Sequence, residues 1–374
     1  MELAYLQRLL VEPVPLFALV RTSLGYILLD QDGAGAIAAR LSGAEPWGAA
    51  GVGARVSART RPQTVQRAES DLRRLAVGRC LRSGLARLLT RHVPRGAAYL
   101  NVGHSNLTER TLRAVRAGVQ GQISVLLHDT IPLDHPQYQR PGMPERFAKM
   151  LRRIEMYADL VICNSAYSEE RLHHHSEVTP NTVVAHLGVD PMSPKTSELP
   201  VELAQSGPYF VTVGTIEPRK RHDLLLDVWE DMADPPPLFI CGARGWENAK
   251  LFQRLDALPE NSQIRELPGL SDAAIAALMA NATALLFPSD AEGFGLPPVE
   301  AAALGTVVLC QKLRVYQEIL GDIPVYASGT DRYQWRNIIE RLIRDQNQGA
   351  KAYTGQVFVP PSWENHFNIV LKVT

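Results

Sequence analysis

The 374-residue sequence has no run of about 18 apolar residues, the length a helix needs to cross a bilayer, so no membrane-spanning helix is expected. It opens Met1-Glu2-Leu3-Ala4-Tyr5, without the basic-then-apolar shape of a secretory leader, which argues against export by that route. Cysteine is scarce: Cys80, Cys163, Cys241 and Cys310 form no C-x-x-C pair, which argues against a zinc site or a disulfide framework. Three of the four close short apolar runs at 160–163, 238–241 and 307–310, where a thiol behaves as a small buried hydrophobe in a reducing compartment. Net charge is absent too, with 39 basic and 39 acidic residues.

What is present is more specific. Hydrophobic residues make up 45% of the chain, enough for packed cores, and the length fits two domains of about 100–200 residues each. The zero net charge conceals an asymmetry. Residues 51–120 hold fourteen arginines and no lysine against Glu69, Asp71 and Glu109, a local charge of +11 balanced by −11 over the rest.

From residue 209 onward, short apolar runs alternate with helical patterns. Strands are expected at 209–214, 237–242, 264–267, 284–287, 307–310 and 324–326. Helices are expected at 223–232, 246–258, 271–281, 298–304, 315–320 and 331–345, with Ser271 as an N-cap. The first half repeats the theme, with strands at 98–102, 123–127, 160–163 and 182–185 and helices at 107–117, 144–158 and 167–174, preceded by a hairpin at 16–20 and 26–29. Such alternation implies parallel sheets covered on both faces. The polar, proline-containing stretch 190–200 reads as a linker between two α/β domains, whose ligands belong in the cleft beyond the carboxyl ends of the strands.

Several motifs carry candidate chemistry. Gly33-Ala34-Gly35-Ala36-Ile37-Ala38 fits G-x-G-x-x-A, the basis for an NAD-dependent reading, but no acidic residue closes a second strand about twenty residues on. Asp32-Gly33 reads better as a turn before a helix. Val213-Gly214-Thr215-Ile216-Glu217-Pro218-Arg219-Lys220 runs from a strand to a helix start, where Gly214 admits close approach and Arg219 and Lys220 suit a diphosphate.

The segment 287–300 runs from a strand through Glu292-Gly293-Phe294-Gly295 into a proline-opened helix carrying Glu300. The amides of Gly293, Phe294 and Gly295 are placed to cradle phosphate or a sugar hydroxyl. Glu292 and Glu300 would lie ~12 Å apart along a helix axis, beyond the about 5–9.5 Å of a glycosidase pair. They suit two hydroxyl-binding carboxylates instead.

His128-Asp129 ends a strand, so His128 points either into the ligand side or onto a loop carbonyl. His173-His174-His175 reads as a solvated helix end rather than a metal tract, since consecutive helical residues do not face one another. Within 64–93, Val77, Leu81, Leu85 and Leu88 have helical spacing among arginines, as in a basic amphipathic helix for an anionic membrane or in a plain solvated helix.

The stretches at 213–220 and 287–300 resemble family 4 glycosyltransferases of the GT-B fold, whose E-x7-E pattern matches Glu292 and Glu300. Weaker matches lie at His128-Asp129, Cys163-Asn164-Ser165, His186-Leu187-Gly188-Val189-Asp190 and Ser362-Trp363-Glu364. The resemblance implies two Rossmann-like domains facing across a cleft: an acceptor-side domain over 1–195, a nucleotide-sugar domain over 196–356, and a helix over 357–374 crossing back. It implies metal-independent, retaining transfer with no cofactor beyond the donor substrate.

In that scheme Glu292 holds donor-sugar hydroxyls, Glu300 the nucleotide ribose, and Lys220 with Arg219 the leaving diphosphate. His128 lies over the reacting sugar. Gly214, Thr215, Gly293, Phe294, Gly295 and Leu296 complete the donor site. The wording resembles mannosyl-type members, which implies GDP-mannose as donor and a glycan or lipid-linked acceptor of a bacterial surface polysaccharide. It places the protein in the cytoplasm, at the inner face of the membrane through the arginine-rich segment, with no nucleic acid as partner.

Two departures stand out: Thr215 occupies a place that is arginine in many members, and the chain opens inside a helix where related sequences have a strand and a glycine loop. The latter raises a rival expectation, a catalytically silent binding or scaffold protein.

Overall fold

The computed structural model describes residues 1–51, 62–190, 193–200, 203, 207–349 and 358–374. Its architecture is α/β. Strands β1 (Ala18–Arg21), β2 (Gly25–Leu29) and β3 (Gly78–Leu81) form an antiparallel sheet. Strands β4 (Tyr99–Asn101), β5 (Ile123–Leu127), β6 (Leu160–Cys163) and β7 (Thr182–Val184) form a parallel sheet in that order. The second half holds β8 (Phe210–Val213), β9 (Leu238–Cys241), β10 (Ile264–Glu266), β11 (Ala284–Phe287), β12 (Val308–Gln311) and β13 (Val325–Ala327). These lie parallel in the order β10-β9-β8-β11-β12-β13.

The central strands β5, β6, β9 and β11 are buried at every residue, as expected where helices cover both faces of a parallel sheet. Ser271 caps the helix Asp272–Asn281 by accepting from the Ala274 amide. Cys163, Cys241 and Cys310 are buried free thiols, and Cys80 is partly buried.

One apolar cluster joins the halves, with Tyr5, Leu126 and Ile162 in continuity with Phe294, Val299 and Phe367. The last helix, Trp363–Val373, packs on the first half. Its His366 bonds to Tyr5 and to the His186 carbonyl (3.0 Å), and Gln122 Nε2 donates to the Val373 carbonyl at 2.6 Å. The boundary drawn at 356/357 and part of the 190–200 linker lie outside the described residues, as do positions 52–61 of the arginine-rich segment.

Three sequence expectations are corrected. Asp32-Gly33 is no turn: the helix Gln31–Leu41 starts earlier because Asp30 caps it, accepting from the Gly33 amide at 2.9 Å. The 64–93 segment is not one amphipathic helix. It divides into the helix Gln63–Arg74, strand β3 and the helix Leu85–His92, because Cys80 pairs with Tyr26 and extends the β1–β2 hairpin. Leu85 and Leu88 are buried while Val77 and Leu81 are exposed, so the four make no common stripe. Finally, the helix expected from 246 begins at Ala249, leaving Trp246 in a loop.

Candidate active site

The carboxyl ends of β8 and β11 face those of β5 and β6, and the charged residues gather there. After β8 the chain turns at Gly214 and closes a single helical turn at Pro218–Lys220, which folds the Lys220 side chain back beneath Gly214. A Cβ on Gly214 would stand 3.6 Å from Lys220 Nζ. Lys220 Nζ lies 2.6 Å from Glu292 Oε1 and 4.4 Å over the Phe287 ring. Arg219 Nη1 lies 2.8 Å from the same carboxylate oxygen, while its Nε pairs with Glu217 at 2.7 Å and its Nη1 donates to the Ala291 carbonyl at 2.7 Å. Two cations and two carboxylates thus form one buried lattice.

The electrostatics follow from that packing. Burial alone would raise the Glu292 carboxyl, but Lys220 and Arg219 overcome it and hold the group below its usual range. Burial pulls the Lys220 ammonium down, opposed by Glu292. Glu217, with one carboxylate oxygen buried and unpaired, is pushed up by burial. Glu300 lies half-buried in the second turn of the helix Leu296–Ala303 and is raised, by burial first and then by Asp272. The two glutamates of the motif therefore occupy different environments: one an ion-paired carboxylate before the helix, the other a carboxyl on the helix that forms no ion pair among the described residues.

The glycine-rich loop makes the contact between the halves. A Cβ on Gly293 would fall 2.3 Å from the His128 carbonyl oxygen, so only glycine lets the loop reach β5. Its own carbonyl accepts from Ser165 Oγ at 3.3 Å and Ser168 Oγ at 3.4 Å. Gly295, at φ +83°, opens the helix, and a Cβ there would lie 2.4 Å from the Tyr316 ring. The amides of Gly293, Phe294 and Gly295 donate to no other group among the described residues, leaving three adjacent donors. Phe294 is buried beside His186 (ring centroids 6.3 Å apart), whereas Thr215 and Leu296 are exposed.

His128 is fixed by its carbonyl contact. Its Nε2 lies 2.7 Å from the Val102 oxygen, which can only accept, so Nε2 is the donor. Beside it Asp129 accepts from the Ile131 amide at 3.0 Å; burial raises its carboxyl against the pull of Arg219.

Sequence reasoning passed over several residues of this region. His104, in the loop after β4, lies tilted against His128 (centroids 4.7 Å apart) and bonds to the Leu126 carbonyl at 2.8 Å; burial and then His128 lower its pKa to about 4. Glu318 of the second half caps the helix Ala166–His175 of the first, accepting from the Ala166 amide at 2.6 Å and the Tyr167 amide at 3.0 Å, with His186 Nε2 2.7 Å away. Arg314 pairs twice with Glu170, at 2.6 Å each, and Trp246 Nε1 donates to the Tyr138 carbonyl at 3.2 Å.

The contacts of Glu318, Arg314 and Trp246 join residues more than a hundred positions apart, which no local pattern announces. The histidine tract is also corrected: His175 is not a solvated end but lies 2.7 Å from Asp134, where Arg171 also pairs. Among the described residues no cluster of His, Cys, Asp and Glu is arranged to hold a metal ion.

Residues 197–354 match the family model described as glycosyl transferases group 1. The chain is 32% identical over 245 residues to the serotype-specific mannosyltransferase WbdA of Escherichia coli, across 60% of this chain and 30% of that protein. It is 30% identical over 217 residues to the O-antigen chain mannosyltransferase B of Escherichia coli, across 54% of this chain and 56% of that protein. The chain thus spans between about a third and a little over half of these relatives' length.

Among solved structures, it resembles HepE of Anabaena in complex with UDP and glucose at a TM-score of 0.61 and 19% identity, covering 81% of this chain and 82% of that one. It also resembles sucrose-phosphate synthase of Thermosynechococcus elongatus at a TM-score of 0.56 and 17% identity, covering 74% and 72%. The fold is GT-B, and the resemblance to glycosyltransferases is borne out.

Proposed function

We propose that this chain, whose residues 197–354 match the group 1 glycosyl transferase model, moves a sugar from a nucleotide-diphosphate donor to a growing surface glycan with retention of configuration. The observation that carries the proposal is the Lys220–Arg219–Glu292 lattice beside the unbonded amides of Gly293, Phe294 and Gly295. Lys220 and Arg219 supply positive charge where a departing diphosphate gathers negative charge, and the amides add fixed donors. Because Glu292 and Glu217 already orient both cations, little reorganisation is needed when the leaving group forms.

Glu292, ionised at neutral pH, accepts from donor-sugar hydroxyls; Glu300 accepts from the ribose. Thr215 and Leu296 border the donor from the exposed rim. His128 faces the reacting sugar from the first half. No enzyme nucleophile is required if the leaving phosphate takes the acceptor's proton on the same face. Mannose is the sugar favoured by the names of the matched relatives, which are O-antigen and serotype mannosyltransferases, and GDP is the nucleotide that the resemblance of the motifs to mannosyl-type members implies. The reaction needs no metal or cofactor besides that donor substrate.

Calorimetric titration of the full chain with GDP and UDP tests the donor site. Binding of a nucleoside diphosphate that Lys220→Met abolishes supports the reading; absence of binding by either nucleotide to folded protein counts against it.

A further inference from the structure

A second charged feature lies away from the lattice, where the β1–β2 turn meets the helix Glu109–Gly118. An open depression of about 620 Å³ is lined there by Arg21, Arg82 and Arg110 with Glu109 and the hydroxyls of Thr22, Ser23 and Thr108. A neighbouring one of about 590 Å³ shares Arg82 and Arg110 and adds Arg113. Glu109 is taken by Arg113 at 2.6 Å, and Arg21, Arg79, Arg82 and Arg110 form no ion pair among the described residues. Arg82 has only a long contact, 3.5 Å, to the Ser23 carbonyl.

Two leucines stand at the same edge. Leu24, in the turn, is 52% exposed, and Leu81, at the end of β3, is 69% exposed. Gly25 pairs in register with Leu81, which brings the two leucines together, and the alternation of β3 puts Arg79 on the same outer face as Leu81. Single exposed leucines are ordinary on soluble proteins. An adjacent pair ringed by arginines without counter-ions is a different pattern: the apolar tips suit an acyl boundary, and the guanidinium groups suit phosphates just outside it.

We propose that this edge of the β1-β2-β3 sheet docks on an anionic lipid bilayer, with Arg21, Arg79, Arg82 and Arg110 on headgroup phosphates and Leu24 and Leu81 dipping beneath them. Charge complementarity commits the surface to this occupant. It lies at the carboxyl end of the first parallel sheet, one loop from the candidate active site: the segment after β4 carries His104 against His128 and ends in Thr108 and Arg110. A docked bilayer therefore borders the first-half rim of the cleft, within reach of a lipid-borne acceptor. The docking element is the tip of a three-stranded sheet, not an amphipathic helix.

Co-sedimentation of the full chain with phosphatidylglycerol and with phosphatidylcholine vesicles tests this without any nucleotide sugar, so its outcome is independent of the proposed transfer. Binding is expected to anionic vesicles only, weakening with salt. Arg82→Ala and Arg110→Ala are each expected to weaken it about five-fold, and the pair about 25-fold. Leu24→Ser with Leu81→Ser should remove the salt-resistant remainder, with melting temperature unchanged because all four side chains are exposed. Equal binding to neutral vesicles, or full binding by the double arginine variant, overturns the proposal. Displacement from vesicles by low inorganic phosphate also overturns it, in favour of a site for a soluble phosphoanion.

Discussion

Replacing Lys220 by methionine keeps the length of the side chain and removes its charge. Lys220 is 9% exposed and its ammonium sits 2.6 Å from Glu292 Oε1, a distance at which a pair with an effective dielectric near 20 attracts by about 6 kcal/mol before desolvation is counted. Burial offsets most of that. Arg219 remains 2.8 Å from the same oxygen, so Glu292 does not become an unpaired buried charge. The stability loss should therefore lie at or below the lower end of the roughly 3–5 kcal/mol that follows when a buried charge loses its only partner.

Turnover should fall much further in relative terms. Removing one preorganised charge from a developing oxyanion costs on the order of 10²–10³ in rate. Urea unfolding and nucleoside diphosphate release measure the two effects separately. In Lys220→Met combined with Glu292→Gln, the stability losses should be less than additive, by about 0.5–3 kcal/mol, because each removes the other's partner. A folded Lys220→Met protein with normal turnover, or strictly additive stability losses, would refute the reasoning.

Other consequences are open to measurement. Gly293→Ala inserts a methyl 2.3 Å from the His128 oxygen, so it should lower stability by about 1–3 kcal/mol and reduce turnover together, as melting and rate assays would show. Glu318→Gln keeps the shape of the inter-half cap but loses its charge; it should lower the melting temperature modestly, and an unchanged or higher value would dismiss the cap. His104 and His222 are held neutral when folded, with pKa values lowered by burial to about 4 and about 3, while an unfolded histidine titrates near 6.5. The unfolded chain takes up protons first as pH falls below about 6.5, so stability present at pH 7 is progressively lost towards pH 4, at up to about 1.4 kcal/mol per histidine per pH unit. Denaturant midpoints at pH 7 and 5 check this, and equal midpoints would contradict it.

The second half was the more legible in sequence because its strands are short, continuous apolar runs bounded by helix caps such as Ser271, and local composition decides such elements. β3 escaped notice because Gly78–Leu81 is a strand only through pairing with β2, some fifty residues earlier. Its Leu81 happens to keep helical spacing with Leu85 and Leu88. In the site, motif spacing located Lys220, Arg219 and Glu292, which a single loop and a single turn bring together. It gave no sign of His104, whose partners lie on the next strand of the sheet, or of Glu318 and Trp246, whose partners lie across the fold. Nor did it reveal that Glu217 would be the carboxylate orienting Arg219, although both stand in the same motif.

The central claim is sugar transfer at the Lys220–Glu292 site. Its most direct test is turnover with GDP-mannose and, separately, UDP-sugars across a panel of mannosylated acceptors, reading nucleoside diphosphate release and the anomeric configuration of the product by NMR. The account predicts GDP release matched by a product that retains the donor's configuration, and loss of both in Glu292→Gln. Folded wild-type protein that releases no diphosphate from any donor, or a product of inverted configuration, would contradict it.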